Sequence, residues 1–434
     1  MKGKLGSITQ LPDNGLEIKP LTVFIGKQGT GKSLVSQFAY FFYNLPYLVA
    51  YQQESVRKLA PSEVLVRIIL DNLRSDKRAI AVFADPSVSI GWDNFKIHLE
   101  QRNRQIRPND DLKQHIDKIT AGEIAYKKGG RALFVPAERV IFPHAGPSVW
   151  KLLSWPSTLF LYGDALQNAS GIFSQWANNQ PPTPEGRLVH QHSREALGGE
   201  VVKYGGEWRW QIDRKTKIDL DMASSGQKAN WSWLLLAETL FDQREQGLID
   251  EPFRIHIEEP EIHLHPAAQR AMMQILAYLA NQGIEVLLTT HSLTMLYELN
   301  NLVTAAHMLP DKLDDGRVPR PEFRIPAHKV AAYMFQEDGQ VSPLLQEQNM
   351  SLEDEAERLE AFGAVVRSHR TPEHKSGIVV FDLPGRDPKE VRARCLAQGV
   401  VVSCRGGGVR ISPHAYNDAS DLDRLMESLA GTSS

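Results

Sequence analysis

The run Gly26-Lys27-Gln28-Gly29-Thr30-Gly31-Lys32-Ser33 fits the pattern G-x-x-x-x-G-K-[ST]. A glycine-rich turn of this kind lets backbone N–H groups wrap a pyrophosphate, and a helix start beside it adds a favourable partial charge. Gly26, Gly29, Thr30 and Gly31 would form the cradle. Lys32 would reach the β- and γ-phosphates, and Ser33 would hold Mg²⁺. A second candidate is Arg254-Ile255-His256-Ile257-Glu258-Glu259-Pro260, an apolar strand ending in two carboxylates. Buried beside the phosphate-loop strand, it would bring Glu258 to a metal and Glu259 to an attacking water. Ser224-Ser225-Gly226-Gln227 precedes a helix and could cradle another anion. His291 follows the apolar run Val286 to Thr290 and offers a donor to the γ-phosphate.

These residues need a scaffold, and the hydrophobic pattern supplies one. Leu21 to Ile25 reads as a buried strand, and a helix begins by Leu34. Short strands recur at Leu133–Val135, Ile255–Ile257 and Val286–Thr290, with a helix predicted over Pro266 to Asn281. This alternation predicts a mostly parallel sheet flanked by helices. A hairpin is expected across Gly205-Gly206, and Asn178 to Gly186 reads as a loop. Residues of about 55–130 predict an inserted helical arm, with helical apolar spacing over Ser62 to Leu73 and a polar, charge-rich stretch from Phe95 to Ile119. From about Ser351 a small α+β unit of helix, strand, helix, strand, strand and helix begins.

The chain of 434 residues has room for two or three domains, and 42% hydrophobic content provides a core. Lys and Arg number 49 against 52 Asp and Glu, a net charge of −3 that gives no overall signal for nucleic acid. Cys395 and Cys404 fit neither a zinc spacing nor a disulfide framework. The polar start and the interrupted apolar stretch Phe38 to Tyr51 predict no leader and no membrane span, hence a soluble cytoplasmic protein. His263 and His265, like His190 and His192 in an expected loop, lack a third ligand with fitting spacing for zinc.

The order of phosphate loop, Ser-Ser-Gly-Gln, Glu-Glu and His resembles that of the ATP-binding-cassette (ABC) ATPases. More narrowly, it is similar to soluble prokaryotic ABC-like ATPases of the overcoming-lysogenization-defect and AAA-ATPase-like group. Ile257-Glu258-Glu259-Pro260-Glu261-Ile262-His263-Leu264-His265-Pro266, Thr290-His291-Ser292 and Val135-Pro136-Ala137-Glu138-Arg139 carry the resemblance, which covers about residues 1–346. It implies an α/β ABC-type P-loop NTPase with a helical insertion, followed by the small α+β domain at 351–434. It implies that ATP and Mg²⁺ bind, that Glu258 and Ser33 serve the metal, and that Glu259 and His291 serve hydrolysis with Lys32. Ser225, Gly226 and Gln227 would then contact the ATP of a second subunit in a homodimer or higher oligomer. The implied function is an ATP-hydrolysing switch that controls a protein effector, in defence against phage or in DNA maintenance. Gln52 or Gln53 could serve as the Q-loop glutamine, or Glu138 and Arg139 could line the site instead. No Glu with a later Asp-x-Asp marks a nuclease, and Asp314-Asp315 reads as solvated.

Residues of about 352–430 resemble the C-terminal small domain of class V aminotransferases, through Gly377–Phe381, Gly399–Arg405 and Val409–Asn417. The cofactor lysine of those enzymes lies in a large domain that has no counterpart here, which leaves a docking or dimerisation module, a sensor of a small anionic ligand, or a structural relic. A rival reading is a nucleic-acid clamp whose arm carries Arg102, Arg104, Arg107, Lys113 and Lys118.

Overall fold

The computed structural model describes residues 2–3, 15–49, 87–92, 95–100, 105–125, 127, 130–142, 157–308, 318–344, 352–368, 379–411 and 419–430. The chain divides into two units, Met1–Ser342 and Pro343–Ser434. Gln52, Gln53, Arg102, Arg104, Asp314, Asp315 and residues 412–417 lie outside the described residues.

In the first unit the apolar run forms β1 (Leu21–Gly26), buried from Leu21 to Ile25. Behind it come α1 (Lys32–Tyr43), β2 (Ala132–Val135), α2 (Pro184–Leu197) and α3 (Ser225–Glu245). Then follow β3 (Phe253–Glu258), α4 (Pro266–Asn281), β4 (Ile284–Thr290), α5 (Leu293–Met308) and β5 (Val330–Phe335). The five strands are parallel in the order β5-β1-β4-β3-β2, and the short strand Val341–Pro343 flanks β5. Every residue of β3 is buried, as a strand covered on both faces requires. The expected α/β class is therefore observed, with one correction. The Glu258 strand does not lie beside β1, because β4 stands between them. Both strands are short apolar runs, so their sequences carry no information about lateral order.

Aromatic packing fixes α1 and β1 to the sheet. Phe24 lies 6.0 Å from Tyr333 and 5.1 Å from Phe335, ring centre to ring centre. Tyr40 on α1 meets Phe134 of β2 and His256 of β3 at 5.4 and 5.6 Å. A fully buried aromatic of this kind contributes roughly 1.5–3 kcal/mol. Burial pushes the His256 imidazole well below its ordinary pKa, so the ring sits in the core as a neutral group near Ser36. Asn44, which ends α1, donates to Ala132 O and accepts from the Arg131 N–H, tying the helix end to β2.

In the described part of the expected helical arm, Ser87–Trp92, Phe95–Glu100 and Gln105–Pro108 are antiparallel strands and Asp110–Thr120 is helical, while residues 55–86 lie outside the described residues. Val88, Ile90, Ile97, Leu99 and Ile106 alternate with polar residues, a period-two signal submerged in the charge of the segment. The helix carries Asp110, Asp111 and Asp117 against Lys113 and Lys118, and Lys113 pairs with Asp110, so it offers no basic face.

A helical lobe holds Ser157–Phe173, α2 and α3. From Ala229 to Asp242 every residue of α3 is buried, so it forms the centre of the lobe. The hairpin Glu200–Tyr204 with Glu207–Gln211 turns at Gly205-Gly206, as expected. The loop expected at 178–186 ends early: Thr183 caps α2 and Pro184 opens it, so His190 and His192 are helical residues.

The second unit packs Leu352–Ala361, Pro388–Ala397 and Ala419–Ala430 against a four-stranded antiparallel sheet. Its strands are Val365–Val366, Val379–Asp382, Gly408–Ile411 and Ser403–Arg405 in spatial order. The Val365–Val366 strand is too short to register as a pattern.

Candidate active site

The C-terminal ends of β1, β4 and β3 bring the expected residues to one edge of the parallel sheet, where such sheets place their ligand crevices. Gly26 ends β1 at φ 154°, and a Cβ there would stand 2.2 Å from Phe335 O, so only glycine fits. The loop through Gly29 and Thr30 then turns back to Gly31, which caps α1 without a side-chain hydrogen bond. The first turn of α1 also lacks an acidic residue. Its amide groups and positive end are thus left for an anion. Lys32 Nζ folds over the loop and donates to Gly26 O at 2.9 Å and Lys27 O at 2.7 Å. Burial pushes its ammonium down to about 8, against the opposing fields of Glu259 and Glu261.

Glu258 ends β3 with 4% of its surface exposed. Its Oε2 accepts from the Ala137 N–H at 3.2 Å, and the nearby Ser33 side chain favours the ionised carboxylate. Burial, with help from Glu138 and Glu259, pushes its carboxyl up to about 7. Its Oε1 is buried and has no hydrogen-bond partner among the described residues. A buried acceptor with no partner beside a serine hydroxyl suits a divalent cation, which would supply the missing charge. Among the described residues no cluster of three or more His, Cys, Asp or Glu could hold a metal alone.

Glu259 follows with φ 45°, a left-handed conformation that costs a non-glycine residue roughly 1–2 kcal/mol. Its N–H donates to Thr289 O at 2.9 Å, and its Oε1 lies 3.3 Å from His291 Nε2. The two residues are each about one-third exposed, so their paired side chains face the open edge. Glu261 Oε1 accepts from Thr290 Oγ1 at 2.6 Å and from the His291 N–H at 2.8 Å.

Arg139 is completely buried and lies under this turn. It donates to Glu258 O at 2.6 Å, Glu259 O at 2.7 Å, Pro136 O at 3.1 Å and Ala229 O at 2.9 Å. Burial weakens its hold on the proton, while Tyr162, Glu261, Glu258 and Glu259 oppose that effect. A guanidinium keeps its charge in such surroundings. The sequence named Arg139 only as an alternative lining residue and gave Glu261 no role. Its one signal was a third carboxylate just beyond Glu258-Glu259.

Ser225, Gly226 and Gln227 open α3 next to the loop that follows Glu259. A Cβ on Gly226 would meet His263 O at 2.7 Å, so glycine permits the close approach. Asn230 Nδ2 holds Ile262 O at 3.2 Å. Ser224 and Gln227 form a reciprocal capping box, and Gln227 Nε2 also donates to Leu197 O. Ser225 is exposed. Among the described residues no hydrogen bond joins residues 225–227 to the phosphate loop.

Residues 93–296 match the family model described as "AAA ATPase domain" (AAA_15). Within that span the chain is similar to ATPase domains of this type. The matched span holds residues 225–227, Glu258, Glu259 and His291 and starts after the phosphate loop. Among solved structures, the SMC head bound to the C-winged helix domain of ScpA is 13% identical, with TM-score 0.40, covering 76% of this chain and 92% of that one. The SMC head domain from Thermotoga maritima is 10% identical, with TM-score 0.34, over 80% of this chain and 100% of that one. A dimeric bacterial ABC transporter cassette is 15% identical, with TM-score 0.30, over 77% and 88%. No curated protein matches. The aminotransferase-like character expected for residues 351–434 finds no support in these comparisons. Among the described residues no helix is long and apolar enough to cross a membrane.

Proposed function

We propose that this chain binds and hydrolyses ATP at the edge formed by β1, β4 and β3, and works as a switch that closes as a homodimer. The convergence of Ser33 with Glu258, and of Glu259 with His291 beside a buried lysine, carries the reading. The α1 amides, Gly29, Thr30, Gly31 and Lys32 bind the phosphates. Ser33 and Glu258 would hold Mg²⁺, which when bound neutralises charge on the β- and γ-phosphate oxygens. Glu259 orients the attacking water and accepts its proton, and His291 donates to the γ-phosphate. His291 and Glu259 lie close enough to hold each other in position before nucleotide arrives.

Ser225 is exposed at the start of α3, and among the described residues no hydrogen bond joins residues 225–227 to the phosphate loop of the same chain, which leaves Ser225 free for the nucleotide of a second copy in a head-to-tail dimer. Control of a protein effector in defence against phage or in DNA maintenance rests on the family resemblance. Glu259→Gln tests the chemistry: turnover should fall by about 10²–10⁴-fold, the usual weight of a general base, with ATP still bound. Unchanged turnover refutes the proposal. Affinity capture with this variant and Mg-ATP then identifies what the closed form holds.

A further inference from the structure

We propose that Arg139 and Glu261 are the positioning residues of the hydrolytic pair, and that Arg139 also ties that pair to the Ser225 end of α3. The inference rests on the ATPase reading above. The backbone of Glu259 is left-handed, so its carboxylate is presented correctly only while something holds the turn. Three bonds do so: the Glu259 N–H to Thr289 O, the Glu259 carbonyl to Arg139, and the Glu258 carbonyl to Arg139. Glu261 works from the other side. Its Oε1 takes the Thr290 hydroxyl and the His291 N–H together, which sets where the His291 ring begins.

The same guanidinium donates its Nε–H to Ala229 O in α3, four residues beyond Ser225. Its planar fork is suited to this use because five donors leave in fixed directions and can meet carbonyls from three segments at once. Neither side chain is needed to touch nucleotide, so both act through Glu259 and His291. A movement of α3 when a second copy engages Ser225 would therefore reach Glu259 through one rigid group.

The test measures kcat and the affinity for a fluorescent ATP analogue in Arg139→Lys, Glu261→Ala and Glu261→Gln. Lysine keeps the charge but cannot span the four carbonyl groups of the three segments. Arg139→Lys and Glu261→Ala should each lower kcat by ~10–100-fold, the effect of a small misplacement, while affinity stays within about twofold. Glu261→Gln keeps an acceptor oxygen for Thr290 and His291 and should restore most of kcat. Should Arg139→Lys fail to fold, the contrast between Glu261→Ala and Glu261→Gln decides alone. Unchanged kcat in Glu261→Ala, or a Glu261→Gln as slow as Glu261→Ala, overturns the proposal. Glu259→Gln is measured alongside: if it retains turnover the ATPase reading itself fails, whereas its inactivity beside fully active Arg139→Lys and Glu261→Ala sinks only the positioning roles.

Discussion

Lys32 and Glu258 are both buried, and burial moves them in opposite directions along the pH scale. The lysine is pushed down to about 8 and the carboxyl up to about 7. In the proposed reading, each shift prepares its group for a counter-charge, the lysine for phosphate and the glutamate for a cation. Gly26 shows how little latitude the loop has. Gly26→Ala places a Cβ against Phe335 O in a strained backbone, and should destabilise the chain by about 1–3 kcal/mol, read as a lower Tm. An Ala variant as stable as the parent would contradict the close approach. The residues of the proposed site stand out in the sequence because glycine, lysine and paired carboxylates recur at set spacings. Arg139 and Glu261 were not, because their partners are mostly main-chain groups, and main-chain groups leave no mark in a sequence.

At the scale of elements, the parallel sheet was legible from buried runs, while the order of its strands was not. Short buried runs such as those of β3 and β4 carry no mark of which neighbour each pairs with. The helical lobe adds a device that the sequence hid. His190 on α2 lies between Glu238 of α3 at 3.0 Å and Glu200 at 2.7 Å. Burial alone would lower this imidazolium, but the two carboxylates outweigh it and hold it up at about 10. Its folded pKa therefore exceeds the unfolded value near 6.5, so the folded form binds more protons between these limits. The stabilisation is complete below about pH 6.5 and declines as pH rises toward 10. The Tm advantage of the parent over His190→Gln should thus shrink from pH 6 to pH 9. A constant or growing advantage would contradict a charged, paired His190. The capping box at Ser224 makes a smaller claim: Ser224→Ala should cost about 1 kcal/mol, read by denaturant unfolding.

On the scale of the whole molecule, the chain consists of two units with separate cores. Phe24, Tyr40, Phe41 and Phe134 are central in one, and Phe381, Leu359, Cys395 and Leu425 in the other. The segment 343–434, produced alone, should show helical and strand signals and a cooperative melt by circular dichroism. A featureless spectrum would contradict an independent core. The sequence pattern restarts near Ser351, and the two units divide between Ser342 and Pro343. The central claim is that one working site needs two chains. It is tested by mixing Lys32→Ala with Ser225→Arg, each inactive alone. Head-to-tail pairing joins the intact phosphate loop of one to the intact Ser225 of the other, so the mixture should recover roughly a quarter of the parent turnover, one site in half of the dimers. A mixture that stays inactive, although the two variants associate, would contradict a shared site.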